Sequence, residues 1–333
     1  MTEVARRQVL GWDARRARWT ACQHGAMDSV TSPRGATGDA AGWDLRPMAL
    51  DDVEAAMAVV EAADAAQAKA GQLPPRTPPR TPPSDAQLEA SRVGHARFVQ
   101  RDGPGAWVAV SEGQVVGVAE SVRRESFWGL SMLFVHPEFQ SRGVGGRLLE
   151  AAVGYAAGAT QRMIQSSPDP RAMRRYFLAG LAMHPTAEMG GQPDRRAIPP
   201  SLPGRDGDEG DLELVAEVEV QLGRSRTEDV AFGLSDGRCR IDVVDSDPGR
   251  GWVLWHPDRL VMLGATDEQT AAVLLWRFLA GSEGQILVHG LTAAQQWAFG
   301  VLHQARLTAQ IRGSLFVDGM AVPVPWIPSG WYF

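Results

Sequence analysis

The sequence predicts an α/β (α+β) chain built as two tandem domains, each a mixed, largely antiparallel sheet flanked by helices. Three observations predict it. The order hairpin, strand, helix, strand, helix occurs twice, which is the repeat of a whole domain and not a solenoid period. A segment rich in Pro, Gly and Asp, residues 190–210, parts the two occurrences and reads as a linker. The 333 residues suffice for two domains of ordinary size, each burying its own core.

Apolar residues make up 44% of the chain and charged residues 22%, both globular values. A net charge of -6 argues against a general nucleic-acid surface and suits a cationic acceptor better than an anionic one. The two cysteines, Cys22 and Cys239, lie far apart and form no CxxC pair, so neither a disulfide framework nor a thiolate metal site is indicated. The seven histidines show no HxxxH or HxH spacing, and no metal is expected. There is no apolar run of about 18 residues and no signal-peptide h-region, so a cytoplasmic protein without a membrane span is expected.

Residues 1–42 carry six arginines and no sustained apolar period, and read as a flexible extension, with Met27 an alternative start. Trp43–Pro47 reads as a first strand. Leu50-Asp51-Asp52 then caps a helix reaching about Lys69, with Val53, Met57, Val60 and Ala63 on its inner face. The tandem Pro-Pro-Arg-Thr-Pro of residues 74–83 can be neither helix interior nor central strand, and reads as an extended surface loop. Ser84 caps a second helix. Ala106–Val110 and Val115–Val122 form a hairpin about Ser111-Glu112-Gly113-Gln114. Gly129–Val135 is apolar almost throughout, the pattern of a strand buried on both faces. A helix with Leu148, Leu149, Ala152 and Val153 inward, a strand at Met163–Ser166 and a helix at Pro170–Leu181 complete this half.

After the linker come a helix at Leu212–Leu222 and strands at Arg238–Val244, Gly251–Trp255 and Arg259–Leu263. A helix at Glu268–Leu279, a strand at Gln285–Val288 and a helix at Thr292–Ala305 follow. The proline-punctuated tail Val322–Pro328 reads as extended chain. Most of the tryptophans concentrated here (Trp252, Trp255, Trp276, Trp297, Trp326, Trp331) read as core or interface residues.

One segment carries chemistry. The strand ending Leu133-Phe134-Val135 passes His136-Pro137 into Gln140-Ser141-Arg142-Gly143-Val144-Gly145-Gly146-Arg147 and then a helix. Glycines let the backbone take positive φ and approach an anion. The helix N-terminus offers unpaired N–H groups and the positive end of the dipole. Such a turn can cradle a pyrophosphate, with Arg142 and Arg147 adding charge. It is not a P-loop, since Gly-Lys-Ser/Thr is missing, and the dinucleotide spacing G-x-G-x-x-G also fails.

The spacing Gln-x-x-Gly-x-Gly after a Val-x-Pro step resembles the Q/R-x-x-G-x-G/A signature of the GCN5-related N-acetyltransferase (GNAT) superfamily, over about residues 43–189. Ala172–Leu181 resembles the family's A-x-x-x-Y-x-x-x-G-F segment. The resemblance implies acetyl-CoA as cofactor and acetyl transfer to a primary amine of a small molecule or peptide. It implies Gln140, Ser141, Arg142, Gly143, Val144, Gly145, Gly146 and Arg147 at the pyrophosphate, and Leu133, Phe134 and Val135 along the pantetheine, where the fourth strand splays from the fifth. Ser167, beside Ser166, would stand near the pantetheine arm. Tyr176 would protonate the leaving thiolate, for which a phenol's pKa is well matched.

Many family members carry a glutamate on the fourth strand as base, whereas this strand reads Leu130-Ser131-Met132-Leu133. Glu120 and Glu125 are the candidate bases, beside a water relay or simple proximity. The alternative is a non-catalytic acyl-CoA sensor or regulatory module.

In the second half the glycines are replaced by Gly264-Ala265-Thr266-Asp267-Glu268-Gln269, where carboxylates repel an anion and Thr266 with Gln269 suggests a capping box. The layout resembles tandem-GNAT proteins of actinobacterial type, with a degenerate C-terminal copy at 211–333. No nucleic-acid or membrane partner is expected, and a homodimer is left open.

Overall fold

The computed structural model describes residues 42–69, 84–235, 237–247 and 249–329. The expectations for the arginine-rich extension up to residue 41, the proline repeat 74–83 and Trp331 lie outside the described residues. The first half runs β1 (Asp44–Pro47), α1 (Val53–Lys69), α2 (Asp85–Arg101), β2 (Ala106–Ser111), β3 (Gln114–Arg124), β4 (Phe127–Val135), α3 (Val144–Gly154), β5 (Gln161–Ser166), α4 (Pro170–Leu178) and β6 (Ala182–Gly191). The second runs β7 (Arg205–Gly207), α5 (Leu212–Gln221), α6 (Thr227–Ser235), β8 (Arg240–Ser246), β9 (Gly249–His256), β10 (Arg259–Ala265), α7 (Glu268–Gly281), β11 (Ile286–Thr292), α8 (Gln296–Gln304), β12 (Thr308–Asp318) and β13 (Trp326–Ile327).

Local chemistry accounts for many boundaries. Ser84 opens α2 with a capping box, its Oγ accepting from Gln87 N at 3.3 Å while Gln87 Oε1 accepts from Ser84 N at 2.8 Å. Glu112 (φ 50) and Gly113 (φ 80) are both left-handed, the geometry of a two-residue hairpin turn between β2 and β3. Helix α1 is rotated from its expected face: Val53, Ala56, Val59 and Ala63 are buried, and Met57 and Val60 are only half-buried. The small Ala56 and Ala63 let the helix lie close on the sheet. Strands β6, β7 and β12 and helix α6 were not expected from the sequence. β7 falls inside the segment read as linker.

The strands form one sheet in the order β1-β2-β3-β4-β5-β12-β6-β11-β10-β9-β8-β7, with β13 joined to β10. The order is the same from either edge. Each half contributes five strands in sequence, and the sixth of each crosses the midline, so that β12 pairs with β5 and β6 with β11. Neighbours are antiparallel except β4 with β5 and β10 with β11, one parallel pair per half.

The exchange carries side chains with it. Phe316 of β12 is fully buried in the first-half core with Trp128, Leu130, Leu148 and Ile164, and Met189 of β6 is fully buried in the second-half core with Leu274, Phe278 and Val288. Burying a side chain of this size contributes roughly 1.5–3 kcal/mol, so each half depends on the other's strand.

A buried ionic network adds to the junction. Asp229 of α6 takes Arg97 (2.9 Å), Arg124 (3.0 Å) and Arg226 (2.7 Å), and Arg124 also holds Asp102 at 2.8 Å. Burial pushes the Asp229 carboxyl up, but the surrounding guanidiniums outweigh it and hold the group below its ordinary value. Among the described residues no helix is long and apolar enough to cross a membrane.

Candidate functional site

The site begins with a bulge. Glu120 pairs with Met132 and Ser121 with Leu130, so Ser131 is an extra residue that bends β4. The parallel pairing of β4 with β5 ends at this point: Leu130 opposite Ile164 is the last pair, although β4 continues to Val135 and β5 to Ser166. The strands open as a wedge. Among the described residues no strand pairs with the inner edge of Ser131–Val135, and Leu133, Phe134 and Val135 are half-buried. The burial of this strand on both faces, expected from its apolar run, holds only for its first residues.

At the mouth of the wedge the chain turns through Ser141 (φ 63) and Gly143 (φ 88) into α3. Gly143 is the N-cap and no side chain caps the helix. Gly146 N and Arg147 N both return to Gly143 O, at 2.9 and 3.2 Å, while Val144 and Gly145, the first helical residues, have no intrahelical acceptor for their amides. The backbone therefore presents donors and the dipole's positive end.

Three side chains define the turn. Gln140 is a staple: its Nε2 donates to Val135 O at 3.0 Å and its Oε1 accepts from Arg171 Nη1 at 2.6 Å. Arg171 is itself held by Asp169, the N-cap of α4, at 2.7 Å. Arg175, one helical turn further on, lies over the glycines: a Cβ on Gly145 would meet its Nη1 at 2.7 Å. It has no carboxylate partner among the described residues. Arg142 and Arg147, expected to supply the charge, are engaged elsewhere, Arg142 over the Phe139 ring at 5.0 Å and Arg147 with Glu150 at 2.9 Å. Sequence reading missed Arg175, though its i, i+4 spacing from Arg171 puts both on one face of α4.

Tyr176 is 4% exposed and edge-on to Phe316, with ring centroids 5.5 Å apart. Burial pushes its phenol well above the ordinary tyrosine value, so it holds its proton more tightly than a match to a thiol would need. Ser167 is exposed beyond the end of β5, and its carbonyl accepts from Ser166 Oγ at 2.8 Å.

The candidate bases are not brought to the wedge in reactive form. Glu120 is 0% exposed and bound to His95 Nδ1 at 2.5 Å, with Oε2 buried and unpartnered. Burial raises the Glu120 carboxyl; burial also presses His95 down, but the hydrogen bond and the charge of Glu120 together outweigh it and raise the imidazole. Glu125 is exposed at the β3–β4 turn, bonded to Ser225 Oγ at 2.8 Å. That is the opposite end of β4 from the wedge, about 13 Å of strand before Ser131.

The second half repeats this architecture and closes it. β10 has its bulge at Val261, between Leu260 and Met262, as β4 has Ser131 between Leu130 and Met132. β10 and β11 pair only at Arg259 and Leu287. Here the chain's own tail enters: β13 pairs with β10 through Ile327 opposite Leu263 and Trp326 opposite Gly264. Pro325 O accepts from Ala265 N at 3.0 Å, and Trp326 O from Gln295 Nε2 at 2.7 Å. Leu263 and Gly264 stand at the positions of Leu133 and Phe134. The matching helix, α7, is capped by Asp267, which accepts from Thr270 N at 2.8 Å and Thr270 Oγ1 at 2.7 Å. The cap is Asp267, not the expected Thr266, whose hydroxyl instead accepts from Arg250 N at 3.0 Å.

Comparison with known proteins bears on the fold. Residues 72–181 match the model of the family described as "Acetyltransferase (GNAT) family". Among curated protein sequences none matches the chain significantly. A candidate acetyltransferase from Pyrococcus horikoshii superposes with TM-score 0.68 at 12% identity, over 93% of this chain and 100% of that one. A GCN5-related N-acetyltransferase from Kribbella flavida gives 0.53 at 18% identity, over 83% and 71%. A tandem GNAT protein from the clavulanic acid biosynthesis pathway gives 0.52 at 16% identity, over 84% and 100%. At these identities the likeness is one of fold.

Proposed function

We propose that this chain, which belongs to the GCN5-related N-acetyltransferase superfamily, binds acetyl-CoA in its first half and transfers the acetyl group to a primary amine of a small molecule or peptide. Acyl transfer is the general chemistry of the fold. One observation carries the finer reading: an unpaired strand edge leads from a bulge directly into an uncapped, glycine-lined helix N-terminus under a cation.

The residues present fit the group. The amides about Gly143–Gly146 and the Arg175 guanidinium would hold the pyrophosphate, in charge-assisted bonds of about 1.5–3 kcal/mol each. The edge at Leu133–Val135 would pair with the amides of the pantetheine arm. The second half supports this, because its equivalent edge already pairs with an extended, amide-bearing guest, the tail strand β13. When bound, acetyl-CoA supplies an activated thioester. A backbone N–H near Ser131 would polarise its carbonyl, and the Tyr176 hydroxyl, made a weaker acid than an ordinary phenol by its burial, would donate to the leaving sulfur. No nucleic-acid or membrane partner is proposed.

A second reading, an acyl-CoA sensor, has one observation in its favour: β4 carries no carboxylate and Glu120 is sealed against His95. Thiol release from acetyl-CoA, followed over a panel of primary amines, separates the two. Amine-dependent release that falls at least about 10-fold in Tyr176→Phe, with CoA affinity kept, supports the transferase. Tight CoA binding with no turnover on any amine supports the sensor.

A further inference from the structure

On the acyl-transfer reading, the first half lacks a usable base. The strand exchange brings another group to it. Gln165 is the first residue of β5 beyond its last pair with β4, at the closed end of the wedge. Its side-chain amide lies directly against Gly290 of β11: a Cβ there would meet Gln165 Nε2 at 2.6 Å. Gly290 has φ 72 and forms, with His289, a bulge of β11 opposite Glu188 of β6.

His289 Nδ1 stands 3.0 Å from Glu188 Oε2, with the two side chains 32% and 7% exposed. An ionised carboxylate only accepts, so Nδ1 carries the hydrogen and the ring's free lone pair is on Nε2. Arg312 Nε, 3.9 Å from the same carboxylate oxygen, stands behind it. The other His–carboxylate pairs among the described residues are placed differently: His95–Glu120 is sealed in the core, and His256–Asp258 caps the turn between β9 and β10.

We infer that His289, supplied by the second half and positioned by Glu188, takes the proton of the acceptor amine at the first half's site. The amine nitrogen bonds to the thioester carbonyl carbon as the carbon–sulfur bond breaks. The proton shed by the nitrogen goes to His289 Nε2 and later to solvent. The sulfur leaves as thiolate and takes a proton from the Tyr176 hydroxyl, which water restores. The second half would thus be kept for a side chain it lends, having closed its own wedge. Glu188 acts through His289 and is a positioning residue.

The test uses the full chain, acetyl-CoA and the amine panel. His289→Ala should lower kcat about 100-fold or more with CoA affinity unchanged by calorimetry, and added imidazole should restore part of the rate. Glu188→Gln should lower kcat about 10-fold with KM for acetyl-CoA unchanged. A rate in His289→Ala equal to the wild type's, or a lowered rate that imidazole does not move, overturns this inference and leaves acyl transfer standing. Should that variant fail to fold, His289→Gln is read for the same loss of kcat at constant CoA affinity. A wild-type chain that binds CoA and acetylates no amine overturns both the proposed function and the inference.

Discussion

The two halves place the same four parts in the same order: a bulged strand, a turn, a helix and a parallel partner that parts from the first strand. In the first half, among the described residues, no strand pairs with the inner edge of β4 beyond Leu130, and α3 starts at Gly143 without a side-chain cap. In the second, β13 lies along the edge of β10, and Asp267 satisfies the start of α7. The difference teaches that this fold leaves an edge and a set of helix donors that must be met from somewhere. One half meets them from its own chain; the other presents them outward. On the proposed reading, a guest-binding site on this fold consists of backbone groups that the protein does not satisfy itself.

The strongest way to break the comparison is to remove the internal guest. Trp326 is 6% exposed, packs in the cluster of Phe98, Phe127 and Leu315, and has the Arg224 guanidinium 4.1 Å above its ring. Trp326→Ala should cost about 3–5 kcal/mol, read by urea unfolding. A loss below about 1 kcal/mol would show that β13 is a loose tail and not part of the second half's structure.

A smaller effect sharpens the open side. Arg175→Gln removes the cation over Gly145 while keeping a polar side chain and a similar helix propensity. CoA affinity should fall about 10- to 100-fold, the loss of one charged hydrogen bond, with little change in unfolding midpoint. Affinity unmoved in calorimetry would mean the guanidinium does not touch the phosphates.

The smallest effect tests the closed side. Asp267→Ala should cost about 1 kcal/mol through the lost cap, and binding should stay at one CoA per chain because β13 still occupies the edge. A second site appearing in that variant would mean the cap alone, and not the tail, shuts the second half.

The structure also shows why some elements were legible and others were not. The β2–β3 hairpin, the caps at Ser84 and the turn at Gly143 depend on residues within four positions of one another, and each was visible. The exchanged strands were not. β6 contains Pro185 and ends in Gly190-Gly191, and β12 contains Gly313 at φ 71, features that argue against a central strand. They are tolerated together: the extra residue of β12 between Ile311 and Ser314 falls beside Pro185, where the ladder has no N–H to use. The surroundings of Glu120 were hidden for a similar reason. Nothing near Glu120 in the chain announces His95, 25 residues earlier, and only packing decides that the pair is sealed.

The amino-acid order alone determined the repeat, most of the locally encoded helices and strands, and the glycine turn at Gly143, because these follow from side-chain periodicity and from where glycine permits a left-handed backbone. Tertiary structure alone decided that the tail closes the second half's strand edge, which strands cross the midline, and that Arg175 and the His289–Glu188 pair stand where they do. A strand edge carries no mark in its own residues of what will pair with it. That choice is made by competition among distant segments of chain for the same hydrogen-bonding groups.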